Sequence, residues 1–124
     1  MIKAAIIASF CLLAATLPSL SQDPTSTASN EGIRRQYNTM VLRETLKKAD
    51  DTLAKNDLPA AAKLYDAAWD LILSIGPGVE NETRHTQQGI AAARMPLAMD
   101  AQKRTDYPEA DRQVNDILRR KLKG

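Results

Sequence analysis

The only histidine of the chain, His85, is the first candidate for chemistry, because Glu82 precedes it by one helical turn. A Glu-x-x-His pair supplies ligands in carboxylate-bridged metal sites, which also need a second such pair and further inward-facing carboxylates. The sequence contains no second pair of this kind. We therefore expect His85 to be a solvated residue on a helix surface, and we predict no metal and no cofactor.

Other catalytic patterns are also missing from the sequence. No serine lies in a nucleophile elbow, and no glycine-rich loop is available to cradle phosphate. The single cysteine, Cys11, lies inside an apolar N-terminal run, and its removal with that run would leave a chain without thiols. We predict that the protein is not an enzyme.

A basic cluster lies at the C-terminus of the chain, at Arg119, Arg120, Lys121 and Lys123. The simplest interpretation is a favourable charge at the negative end of the last helix. Contact with acidic lipid headgroups is the alternative. Nucleic acid is not expected, because no aromatic residues are interleaved with the basic ones and the apolar N-terminal run predicts export.

The N-terminus has the order of a secretory signal peptide. A positive start at Lys3 precedes an uncharged apolar run, Pro18 ends that run, and the small residues Ser19 and Ser21 follow, on either side of Leu20. The run is shorter than the roughly 20 residues that span a bilayer, which disfavours the alternative of an uncleaved anchor. We predict a signal peptide over residues 1–21, a flexible polar linker over 22–30, and an exported helical domain over 31–124 of a bacterial envelope protein.

The mature region reads as four helices, because apolar residues recur at helical spacing and no alternating strand pattern occurs. The expected stripe of the first helix consists of Ile33, Tyr37, Met40, Val41, Leu46, Ala49 and Leu53. The second helix has an apolar arc wide enough to be covered on two sides. Pro96 lies inside the third, where we expect a kink or a break.

The corners between helices repeat. Ala49-x-Asp51-x-x-x-Lys55-x-Asp57-Leu58-Pro59-x-Ala61 aligns at a constant offset with Ala98-x-Asp100-x-x-x-Arg104-x-Asp106-Tyr107-Pro108-x-Ala110. In each copy the second aspartate is placed to cap the following helix, and the proline occupies its first turn. Two copies of one helix hairpin are the simplest explanation.

These residues resemble a known family. Asp57-Leu58-Pro59-x-Ala61-x-x-x-Tyr65-x-x-Ala68 is similar to the corner and second helix of a tetratricopeptide repeat (TPR). The second copy departs from that pattern at Val114 and Ile117, and the repeat is longer than the usual 34 residues. Lengthened repeats of this kind are similar to those that precede the ring-forming domains of secretins in bacterial secretion and type IV pilus systems.

The resemblance implies an all-α short solenoid of two TPR-like antiparallel hairpins. Repeats usually need several neighbours to cover their apolar faces, so we expect the outer face of the last helix to be completed by another protein or another copy. Residues expected to pack the repeats are Ala49, Leu53, Leu58, Ala61, Leu64, Tyr65, Ala68, Ala98, Tyr107 and Ala110. The candidate partner surface is Trp69, Ile72, Val114, Ile117 and Leu118, although Tyr65 and Trp69 also fit a core.

The expected function is a non-catalytic interaction scaffold of the bacterial envelope, with protein partners or self-association and with membrane contact only through an associated assembly. The alternative is a small periplasmic chaperone or carrier that holds a peptide or lipid on the apolar arc of the second helix.

Overall fold

The computed structural model describes residues 24–121, and every regular element within that range is an α-helix. The helices are α1 (Pro24–Ala54), α2 (Leu58–Ile75), α3 (Glu80–Lys103) and α4 (Tyr107–Lys121). The prediction of an all-α chain is confirmed. The predicted signal peptide and Lys123 lie outside the described residues.

Short corners make neighbouring helices pack in chain order. α1 packs along α2, α2 along α3 and α3 along α4, and a smaller contact joins α1 to α3. α2 is therefore covered on two sides, as its wide apolar arc predicts. Among the described helices α4 lies closest to α3 and reaches α2 through the side chain of Arg120, and its outer side, which bears Val114 and Leu118, is exposed.

The two hairpin corners have the same backbone geometry. Asn56 and Thr105 both adopt a left-handed φ of 61°. The next amides, of Asp57 and Asp106, donate to carbonyls five residues earlier at 3.2 and 2.8 Å, the bond of a Schellman C-cap. The carboxylates of these aspartates each accept from the amide three residues later at 3.3 Å, which caps the next helix. The sequence repeat is therefore also a structural repeat, with an offset of 49 residues.

Small residues let the helices approach closely. The ring of Tyr65 on α2 covers Gly89 on α3, where a Cβ atom would lie only 2.2 Å from Tyr65 Cε1. Tyr65 itself is buried, so its ring fills the space that the glycine leaves. The main core cluster consists of Leu42, Leu46, Ala49, Ala61, Ala62, Tyr65, Ala68, Trp69, Ile72, Ile75, Val79, Ile90, Ala93 and Ile117.

The bounds of the two long helices bear on two of the sequence predictions. α1 begins at Pro24, within the segment expected to be a linker, where the proline lies in the first turn and leaves no hydrogen bond unmade. α3 runs through Pro96 without a break. Pro96 and Ala92, whose carbonyl would otherwise accept the missing hydrogen bond, are both exposed, so water can solvate that carbonyl.

The apolar stripe expected on α1 divides into two groups. Leu46 and Ala49 are buried as predicted, together with Leu42, which the prediction omitted. Tyr37 and Met40 are 64 and 69% exposed, and Ile33 is exposed with them. These last three residues, which we call the α1 outer stripe, lie at i, i+4 and i+7 on the side of α1 that faces away from Leu42 and Leu46.

Candidate functional site

The residues predicted to pack the repeats are mostly inside the protein. The buried ones are Ala49, Ala61, Tyr65, Ala68 and Ala98, and the half-buried ones are Leu53, Leu58, Leu64 and Ala110. Tyr107 is the exception: it is 59% exposed, so the prediction that it packs the repeats is wrong. Its counterpart Leu58 begins a helix that packs between α1 and α3, whereas α4 packs mainly against α3.

The predicted partner surface is only partly a surface. Three of its residues do not belong to a surface, because they are buried in the main core cluster: Trp69, Ile72 and Ile117. The first two lie on α2 between its two neighbouring helices, which explains their burial. Val114 and Leu118 are 37 and 47% exposed on α4. We call these two residues the α4 outer pair.

His85 lies on the surface of α3 and takes part in a polar contact that the sequence did not predict. Its Nε2 lies 2.9 Å from the Asp50 carboxylate of α1, and the Tyr65 hydroxyl donates to the same carboxylate at 2.6 Å. Burial, and then the adjacent Asp50 carboxylate, raise the pKa of Tyr65 well above its ordinary value. Glu82 instead accepts from Arg43 Nε at 3.0 Å, which lowers the pKa of Glu82.

These contacts line a shallow groove between α1 and α3. Leu46, Lys47 and Asn81 line it together with the four residues Arg43, Asp50, Glu82 and His85, around a volume of about 310 Å³. The basic Arg43 and Lys47 are balanced by the acidic Asp50 and Glu82, so neither sign of charge dominates the groove. Within residues 24–121, no group of three or more histidine, cysteine, aspartate or glutamate side chains is placed to hold a metal ion.

A buried ionic cluster joins α2, α3 and α4. Arg94 Nη1 donates to Gln113 Oε1 at 2.7 Å and lies 3.3 Å from Asp116 Oδ2. Its other terminal nitrogen, Nη2, bonds the Asp66 carboxylate. Arg120 Nη2 lies 3.0 Å from Asp66 Oδ1. Two arginines and two aspartates balance each other, so the cluster fixes the position of α4 without leaving a net charge.

Sequence reasoning missed this cluster because its members are distant in the chain. The one available signal was an arginine that follows Ala91, Ala92 and Ala93 on a helix, where a charge on the packed side requires buried partners.

The C-terminal basic cluster is not a uniform positive surface. Arg120 points inward to Asp66, and Arg119 bonds Asp116. Lys121 is exposed at the end of α4. Two of these three residues are therefore in ion pairs, that of Arg120 inside the protein and that of Arg119 at its surface.

Comparison with known proteins identifies no relative. No protein-family model, curated protein or solved structure matches this chain. Within residues 24–121, none of the helices is both long and apolar enough to cross a membrane.

The described residues thus combine an internally neutral, tightly packed core with two exposed apolar features at opposite ends of the hairpin array. These are the α1 outer stripe and the α4 outer pair. Both are suited to packing against protein, since apolar side chains at helical spacing bury well against another helix.

Proposed function

We propose that this chain is an exported, non-catalytic scaffold of the bacterial envelope that binds protein through the two ends of its hairpin array. The observation that carries the proposal is the duplication at an offset of 49 residues, in which both corners have the same hydrogen bonds. Units of this kind are stabilised by packing on neighbouring units, and here each end of the array has an exposed apolar feature.

The more specific version places the scaffold in a secretin-like secretion or type IV pilus assembly. It is supported by the resemblance of the long TPR-like hairpins and by the signal-like N-terminus. The envelope location and the partner both belong to the proposal.

The chaperone or carrier alternative loses its main support. It required the apolar arc of α2 to be available for a peptide or lipid, but Trp69 and Ile72 are buried between helices. A carrier would have to open the α2–α3 contact to expose them.

Site-specific photo-crosslinking in the producing cells tests the proposal. A photoreactive amino acid replaces Tyr37 in one variant and Leu118 in another, and Lys63, an exposed polar residue of α2, is the matched control position. We expect one discrete protein adduct from each apolar position, in the envelope fraction, and none from Lys63. A chain that stays in the cytosol, or equal labelling at all three positions, would refute it.

A further inference from the structure

The sequence repeat relates the exposed apolar residues of α1 and α4 to the internal interface between α2 and α3. Adding 49 residues to Tyr65 and Trp69, on the side of α2 that meets α3, gives Val114 and Leu118. By the repeat, the α4 outer pair therefore corresponds to the residues of α2 that pack against α3. On α4 the side chains at these positions are exposed.

The same relation holds at the other end. Subtracting 49 residues from Thr86 and Gly89, which are buried on α3, gives Tyr37 and Met40. Gly89 is the position that the Tyr65 ring covers. The α1 outer stripe therefore corresponds to the side of α3 that packs against α2.

The two open faces are complementary in size. Inside the chain the large Tyr65 lies on the small Gly89. At the ends the sizes are exchanged: the smaller Val114 corresponds to Tyr65, and the larger Met40 corresponds to Gly89. If the two open faces pack with the geometry of the α2–α3 interface, each contact joins one larger and one smaller residue and the space between the helices is filled. Two large residues at one contact would clash.

An ion pair of the internal interface has uncharged counterparts at the open faces. The Asp66–Arg94 ion pair links α2 to α3 inside the chain. The corresponding residues at the open faces are Asn115 and Thr45, both uncharged. Neither face therefore retains half of this ion pair. The same offset places Asp111 and Glu44 where Ala62 and Ala93 are buried, so the two faces also bring two carboxylates together.

From these observations we propose that the partner of each end is a second copy of this chain, with α4 of one copy packed on α1 of the next in the way that α2 packs on α3. The contact is head-to-tail, so its repetition gives an open helical stack, or a ring if the rotation closes. This inference rests on the proposed function and names the partner that the scaffold binds.

Charge substitutions at the two faces test the stacking. We expect Val114→Asp and Met40→Asp to abolish the concentration-dependent assembly of the wild-type chain in sedimentation velocity. Both side chains are exposed, so thermal unfolding should show folded proteins. Met99→Asp, at an exposed apolar residue of α3 outside both faces, is the matched control and should assemble like the wild type.

Mixing the two monomeric variants identifies the geometry. Each variant retains one intact face, and the intact faces are opposite ones, so the mixture should form a one-to-one heterodimer and nothing larger. A symmetric dimer through a single face would instead leave one of the two variants dimeric by itself, which would overturn the head-to-tail arrangement.

A disulfide trap gives an independent measurement. In a Cys11→Ser background, chains carrying Met40→Cys and chains carrying Val114→Cys should cross-link to each other on mild oxidation and much less to themselves. A wild-type chain that is monomeric at every concentration, with no such cross-link, overturns the inference. If Tyr37 and Leu118 positions still label a different protein in cells, the proposed scaffold function stands and only the identity of the partner is wrong.

Discussion

Substitution of Gly89 by alanine is the sharpest test of the α2–α3 interface. An ideal Cβ atom at this position would lie 2.2 Å from Tyr65 Cε1 and 2.4 Å from Cζ, far inside van der Waals contact. The Tyr65 ring is buried, and its hydroxyl is held by Asp50 at 2.6 Å, so the ring cannot move aside without losing that bond. Either the ring or the helix must shift.

Two effects of opposite sign set the magnitude. Alanine in place of glycine within a helix stabilises by about 1 kcal/mol, whereas overpacking a filled core costs about 1–3 kcal/mol. Because the contact is so short, we take the upper part of that range, for a net loss of about 1–2 kcal/mol in the free energy of unfolding. A loss of that size lowers Tm by roughly 4–16 °C in a domain of this length.

The assay is urea and thermal unfolding followed by circular dichroism. Gly32→Ala is the matched control, since Gly32 also lies in a helix, α1, but has nothing within 4 Å of the added carbon. It should stabilise the protein by up to about 1 kcal/mol. The reasoning is wrong if Gly89→Ala is as stable as Gly32→Ala, or if replacing Tyr65 by leucine fails to reduce the cost of the added methyl group.

Three further predictions concern other parts of the structure. Arg94→Leu should lower the free energy of unfolding by about 1–3 kcal/mol, because it removes one of the two arginine partners of the half-buried Asp66 carboxylate; urea unfolding measures this, and an unchanged midpoint would contradict it. Thr105→Asn should stabilise by about 1 kcal/mol by relieving a β-branched residue at φ 61°, and the converse Asn56→Thr should destabilise by a similar amount. Finally, the raised pKa of Tyr65 means that the folded state keeps its proton while the unfolded state loses it, so Tm should fall as pH rises above the ordinary tyrosine pKa of about 10; Tyr65→Phe should reduce that fall, and an equal fall in both proteins would contradict the assignment.

The corners were predictable from the sequence because their determinants are local. An aspartate that caps the next helix and a proline in its first turn act within a few residues, and both copies carry them. The αL residues Asn56 and Thr105 lie just before these aspartates.

The division of apolar residues between core and surface was not predictable in the same way. The single stripe predicted on α1 joined two opposite faces of the helix: at 3.6 residues per turn, Tyr37 and Met40 lie opposite the buried Leu46. Burial of Trp69 depends on a third helix that packs against α2 from a distance in the chain. The Arg94 cluster likewise depends on three helices meeting, which no local pattern specifies.

The central claim is that this chain works by binding protein through the ends of its duplicated hairpins. Its most direct test is the size of the native chain in a gentle envelope extract, measured by sedimentation beside the Val114→Asp and Met40→Asp variants. We predict that the wild-type chain sediments as a stoichiometric complex and that both variants shift to smaller species. A wild-type chain that sediments entirely as a free monomer, unchanged by either substitution, would contradict the claim.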